Sequence, residues 1–170
     1  DTIWVAGGTY NQSLQPAKKC TSSAPLSIRR ARADAPEVVA AAGWSASFAS
    51  TVTQAGSSAE ISFNGDYDYI VISGRTSASG GNNGWVLDRS ASSGGCGICF
   101  NSSSSDYNTF EYVDLKGPGY ISYSSDGRGI DCTPPSGSVT GNTFSHMNIF
   151  DWESGIYAVG CSNPIFEYID

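Results

Sequence analysis

Four segments of this chain repeat one pattern, an aromatic residue followed three and five positions later by apolar groups. They are Tyr67-Asp-Tyr-Ile-Val-Ile72, Phe110-Glu-Tyr-Val-Asp-Leu115, Phe144-Ser-His-Met-Asn-Ile149 and Phe166-Glu-Tyr-Ile-Asp170. Between them a glycine opens a short apolar run four times, at Gly84-Trp-Val-Leu87, Gly97-Ile-Cys-Phe100, Gly129-Ile-Asp-Cys132 and Gly155-Ile-Tyr-Ala158. Spacing that is fixed inside each phrase and variable between phrases describes stacked short strands joined by loops. No phrase can bury its apolar side chains alone, so neighbours must stack.

Phe144 and Phe166 are 22 residues apart, Phe110 and Phe144 are 34 apart, and Tyr67 and Phe110 are 43 apart. The excess falls in Gly/Ser/Pro-rich stretches such as 102–105 and 133–137, which read as loops leaving the stack. Ile70/Ile72, Val113/Leu115 and Met147/Ile149 alternate with Val71, Asp114 and Asn148. A period of two sends the first set inward and the second outward. Stacking then aligns Val71, Asp114, Asn148 and Asp170 in one outward row.

The chain is 170 residues long, enough for one domain spanning 1–170 with a continuous core. Only 15% of residues are charged, and long helix-forming runs are missing. In the Ala-rich stretch 31–42, Pro36 and the β-branched pair Val38-Val39 interrupt any helix, so a mostly β chain is expected. A net charge of −7 opposes nucleic-acid binding, which depends on Lys and Arg neutralising phosphates. Basic residues gather at Arg29-Arg-Ala-Arg32, near Lys18-Lys19, and read as a solvated face. There is no run of 18 apolar residues, hence no expected membrane span. No leader and no Met precede Asp1, which suggests a processed chain or an excerpt of a longer one.

Five cysteines point to an oxidising compartment. Cys96-x-x-Cys99 has no second such pair and no His pair at ligand spacing, which argues against zinc. Cys132 falls on an inward phase and is expected to pack as a free thiol. Cys20, Cys96, Cys99 and Cys161 lie in loops or at strand edges, where pairing is open, and one cysteine must be left over. Two sequons, Asn11-Gln-Ser13 and Asn101-Ser-Ser103, sit in polar segments suited to glycosylation. The Ser-rich stretches 77–79, 90–93 and 102–105 are candidates for O-linked sugar.

The opening Asp1-Thr-Ile-Trp-Val-Ala-Gly-Gly-Thr-Tyr10 resembles the first-coil motif of the pectin-lyase-like right-handed parallel β-helix superfamily. Pro25-Leu-Ser-Ile-Arg29 looks like its next strand, Val38-Val39 like the one after, and Asn108-Thr-Phe110 and Asn142-Thr-Phe144 are similar to its coil repeats. The resemblance implies an all-β, right-handed parallel β-helix, a β-solenoid of roughly five to seven coils. It departs from the family at both ends, with no capping helix before Asp1 and no capping segment after Asp170. Bare terminal coils expose strand edges, so copies docking head to tail through Ile3 and Val5 at one end and Phe166 and Ile169 at the other would build a filament.

Members of that superfamily that cleave uronate polysaccharides use acidic residues binding calcium and a basic residue as base. The resemblance therefore makes Asp114, Asp170, Asn148 and Glu111 calcium candidates and Lys116 a candidate base, with Glu167, Asp151 and Glu153 able to contribute. Members that hydrolyse polygalacturonate pair aspartates with a histidine; here Asp131 and His146 stand without an Asp-Asp pair. His146 is expected between Tyr112 and Tyr168 in a row of surface rings. No Gly-x-Ser-x-Gly elbow supports a serine triad. Trp4, Trp44, Trp85 and Trp152 serve either the core or sugar stacking. The resulting expectation is a secreted or cell-surface structural solenoid, glycosylated and self-stacking, with no required cofactor. The alternatives are a calcium-dependent polysaccharide lyase and a glycan-binding adhesin or phage-spike module.

Overall fold

A computed structural model describes residues 1–102, 104–119 and 127–170. The chain is nearly all β, and almost every strand pairing is parallel. The strands stack in three main ladders. The first comprises Thr2–Val5, Leu26–Arg30, Ile70–Ser73, Thr109–Glu111, the first half of Thr143–Phe150, and Ile165–Ile169. The second comprises Gly8–Tyr10, Val52–Ala55, Trp85–Asp88, Val113–Lys116 and the second half of Thr143–Phe150. The third runs Ile61–Phe63, Gly95–Phe100, Gly127–Asp131, Ser154–Tyr157. One antiparallel hairpin, Arg75–Ser77 with Gly80–Asn83, interrupts the passage from the first ladder to the second.

Alternation decides what each ladder buries. Ile28, Ile72, Phe110, Phe144 and Phe166 are register partners on the inward side of the first ladder. Phe144 stacks on Phe110 at 5.2 Å and on Phe166 at 5.1 Å, close to the spacing of adjacent strands, so ring contact and backbone pairing reinforce each other. Leu87, Leu115, Ile98 and Ile130 complete the buried centre.

The Phe110, Phe144 and Phe166 phrases are therefore in register, as expected. The Tyr67 phrase is not, because Ile72 rather than Tyr67 pairs with Phe110. Val71 consequently faces Thr109 in the first ladder and leaves the Asp114 row, where Val86 takes its place. Gly97, Gly129 and Gly155 lie inside strands of the third ladder, which open earlier, at Gly95, Gly127 and Ser154, whereas Gly84 leads into the second. Of Pro25–Arg29, all but Pro25 lie in the strand Leu26–Arg30, but Val38-Val39 forms none. Pro36–Val39 is one turn of helix with Pro36 at its start, where a missing N–H costs nothing. Cys132 is inward and fully buried, yet not a free thiol: it bonds Cys161. Cys96 bonds Cys99, and Cys20 is the cysteine left over, buried and unpaired.

Candidate binding groove

The corner from the first ladder to the second is made by one residue in the left-handed region, at Tyr112 (φ 57°), His146 (φ 52°) and Tyr168 (φ 54°). Each such non-glycine residue costs about 1–2 kcal/mol in isolation. Side-chain stacking opposes that cost. The Tyr112 and His146 rings lie 4.5 Å apart and nearly parallel, and the His146 and Tyr168 centroids are 4.6 Å apart. Their faces cover one another, and the row is not the expected row of surface rings throughout: Tyr112 is buried, His146 is partly buried, and Tyr168 is 75% exposed.

Two residues beyond each corner, the outward position of the second ladder holds Asp114 and Asn148, register partners in adjacent strands. Asp170 continues the row, because its N–H donates to Met147 O and its carbonyl accepts from Ile149 N. Towards the N-terminus the row runs back through Val86, Thr53 and Thr9. Asp114 Oδ1 accepts hydrogen bonds from Asn148 Nδ2 and Asn83 Nδ2, both at 2.6 Å. These two amides fix the carboxylate through its Oδ1.

The hairpin supplies the opposite wall. Gly74 and Gly84 form its base, where Gly84 N donates to Gly74 O at 2.8 Å. A side chain on Gly74 would collide with the Tyr112 carbonyl oxygen and Trp85, so this close approach requires glycine. The hairpin then brings Gly81, Asn82 and Asn83 beside the aromatic and polar rows. Together they enclose an open groove of about 400 Å³, lined also by Tyr112, Asp114, His146, Asn148, Tyr168 and Asp170.

The expected calcium residues are thus divided. Asp114, Asn148 and Asp170 share the groove floor, while Glu111 lies around the corner, ion-paired with Arg75 at 2.7 Å. Arg75 also sits 5.0 Å above the Tyr112 ring, holding the corner from outside. Lys116 shares the outward face of Asp114 but bonds Asp88 at 3.2 Å. Burial alone pushes the Asp88 carboxyl up, but hydrogen bonds from Ser90 and Lys116 outweigh it and hold the group below its ordinary value. Among the described residues, three metal-ligand atoms lie within 4.8 Å of one another at Glu60, Cys96 and Cys99, where both cysteines form the disulfide.

Other candidates fall outside the groove. Asp131 is ion-paired with Arg128 at 2.9 Å. Arg30 belongs to no solvated face: it is buried, with its Nε donating to Ser50 O. Arg32 pairs with Asp34 and lies over Trp4. Trp85 is core, its indole N–H donating to Gln54, and the Trp152 indole donates to Leu115 O. Asn11 and Asn101 are both exposed, and Ser103 of the second sequon lies outside the described residues. The hairpin's contribution was missed in sequence because Gly80-Gly-Asn-Asn83 reads as an ordinary loop. Arg89 was missed too. It is buried and donates to Ala59 O, Ser57 O and Gly94 O, tying two segments together. No known protein family, characterised protein or solved structure matches the chain, so what the groove does must follow from its own chemistry.

Proposed function

We propose that this chain is a right-handed parallel β-helix of the pectin-lyase-like kind, acting outside the cell or at its surface, and that its groove binds a hydroxyl-rich glycan. The observation carrying this reading is the meeting of three polar side chains in register, Asp114, Asn148 and Asp170, with the stacked rings of Tyr112, His146 and Tyr168. Carboxylates accept strong hydrogen bonds from hydroxyl groups, amides both donate and accept, and aromatic rings exclude water beside them. Such a set fixes sugar hydroxyls.

Charge narrows the ligand. The groove carries two carboxylates and no Lys or Arg among its lining residues, on a chain of net charge −7. A uronate polymer would be repelled unless a cation bridged it, so a neutral glycan is the favoured ligand. The test is retention of the full chain in affinity electrophoresis through neutral and uronate polysaccharides, with calcium and with a chelator. Retention by a neutral polymer that Asn148→Ala and Tyr168→Ala abolish supports the reading. Retention only by uronates with calcium would instead make Asp114 and Asp170 cation ligands and reinstate the lyase reading. No retention by any polymer would sink glycan binding.

A second reading, end-to-end stacking into a fibre, draws on one further observation. The first ladder begins with an exposed Ile3 and finishes with a strand whose Ile165, Phe166 and Tyr168 are exposed. A strand from a second copy would continue both the pairing and the Phe110–Phe144–Phe166 stack. Light scattering of the chain with Phe166→Lys decides it: loss of a polymer formed by the unsubstituted chain supports stacking, and a monomer in both cases excludes it.

A further inference from the structure

We propose that the Cys96–Cys99 disulfide is an exchangeable redox site, open to small thiols through Cys96. The two cysteines differ in access, since Cys99 is 1% exposed while Cys96 is only partly buried. An incoming thiolate must approach a disulfide sulfur directly, so Cys96 is the sulfur attacked and Cys99 the one that leaves. Glu60 Oε2 lies 3.9 Å from Cys99 Sγ, where it can accept a hydrogen bond from the Cys99 S–H once the bridge is reduced. Glu60 is held in turn by Arg89 Nη1 at 3.4 Å, and Arg89 reaches the Cys96 loop through Gly94 O at 2.8 Å. Gly97, between the two cysteines, approaches the next strand so closely that a Cβ there would lie 2.7 Å from Gly129 O.

With a dithiol as reductant, one thiolate attacks Cys96 Sγ and the Cys96–Cys99 bond breaks. Cys99 leaves as a thiolate, takes a proton from water and donates the resulting S–H to Glu60. The second reductant thiol then attacks the mixed disulfide and releases Cys96 as a thiolate, which is protonated in turn. Two electrons and two protons have passed to the protein, and the reductant departs as a disulfide. In the reverse direction, with oxidised glutathione as oxidant, the Cys96 thiolate attacks one of its sulfurs, the glutathione S–S bond breaks, and one glutathione leaves as a thiolate while Cys96 holds the other as a mixed disulfide. Cys99 then loses its proton to water and attacks Cys96 Sγ, re-forming the Cys96–Cys99 bond and releasing the second glutathione as a thiolate.

The second disulfide is the comparison. Cys161 is partly buried like Cys96, but its bond to the fully buried Cys132 closes a sequence separation of 29, against three for Cys96–Cys99, and so constrains the unfolded chain more. The experiment treats the folded full chain with graded dithiothreitol, alkylates with iodoacetamide and maps the label by peptide mass spectrometry. Cys96 and Cys99 should become labelled at a reductant concentration about tenfold or more below that needed for Cys132 and Cys161. Incubating the reduced chain with oxidised glutathione should place the glutathione adduct on Cys96. A Cys99→Ser variant should trap that adduct; if it does not fold, the adduct site in the unsubstituted chain gives the answer. Simultaneous reduction of both disulfides, later reduction of Cys96–Cys99, or an adduct on Cys99 would overturn the proposal.

Discussion

Asn142 Oδ1 accepts the backbone N–H of Asn108 at 2.8 Å, and Asn108 Oδ1 in turn accepts the backbone N–H of Ile70 at 2.8 Å. Both side chains are buried where the chain turns into the first ladder. Their amide nitrogens donate to Ser105 O and Tyr67 O respectively. Each asparagine thus does for the turn what a strand cannot, satisfying backbone groups that point along the stack after regular pairing has stopped.

Replacing Asn142 with Leu leaves the Asn108 N–H and the Ser105 carbonyl without partners in a site that water does not reach. The expected cost is about 2–4 kcal/mol, read as a lower urea midpoint at unchanged slope. Asn142→Asp retains the acceptor and should cost less. Equal losses for the two variants would mean that packing, not hydrogen bonding, is what the position supplies.

The glycines of the third ladder allow a sharper contrast. A Cβ on Gly129 would press on the Gly155 carbonyl oxygen and lie 2.5 Å from Ile149 Cγ2, whereas the nearest atom to a Cβ on Gly155 is 3.6 Å away. Gly129→Ala should therefore destabilise by about 1–3 kcal/mol through overpacking. Gly155→Ala should stay within about 0.5 kcal/mol of the unsubstituted chain. Thermal melts of the two variants make the comparison, and the reverse order would show that the strands are not this close.

These residues also show what was legible in the sequence. The phenylalanines gave the first-ladder register correctly, because an inward ring that stacks on its neighbour leaves a fixed spacing to the apolar groups that follow. Tyr67-Asp-Tyr-Ile misled for a physical reason. Tyr69 and Tyr112 are both left-handed tyrosines followed by a strand, but Tyr69 turns into the first ladder and Tyr112 into the second. Local sequence records the turn and not which corner it makes. The Tyr112–His146–Tyr168 row and the Asp114–Asn148–Asp170 alignment were readable for the same reason as the phenylalanines. The hairpin wall was not, since its position depends on the close approach of Gly74 to Tyr112 and Trp85, a contact between residues far apart in sequence.

Stability should depend on acid through Asp88. Its carboxyl sits below the ordinary value in the folded chain, so the unfolded chain takes up the proton first as pH falls. The contribution is complete above the unfolded value of about 3.9 and disappears as pH drops through the lower folded value. Asp88→Asn should accordingly reduce stability at pH 7 and make little difference at pH 2. Urea midpoints at the two pH values check this; an equal deficit at both would assign the loss to geometry instead of charge.

The two disulfides should differ in what they contribute to stability. Cross-linking restricts the unfolded chain in proportion to the logarithm of the loop it closes. For the 29-residue separation of Cys132 and Cys161 this amounts to about 3–4 kcal/mol. For the separation of three between Cys96 and Cys99 it is about 2 kcal/mol at most. Removing Cys132–Cys161 also takes the fully buried Cys132 and the partly buried Cys161 from the core beside Val139. The double variant Cys132→Ala/Cys161→Ala should thus lose more stability than Cys96→Ala/Cys99→Ala, compared by urea unfolding under non-reducing conditions. If the short bridge proves the more stabilising, it is a structural clasp, and an exchange role for it loses its thermodynamic basis.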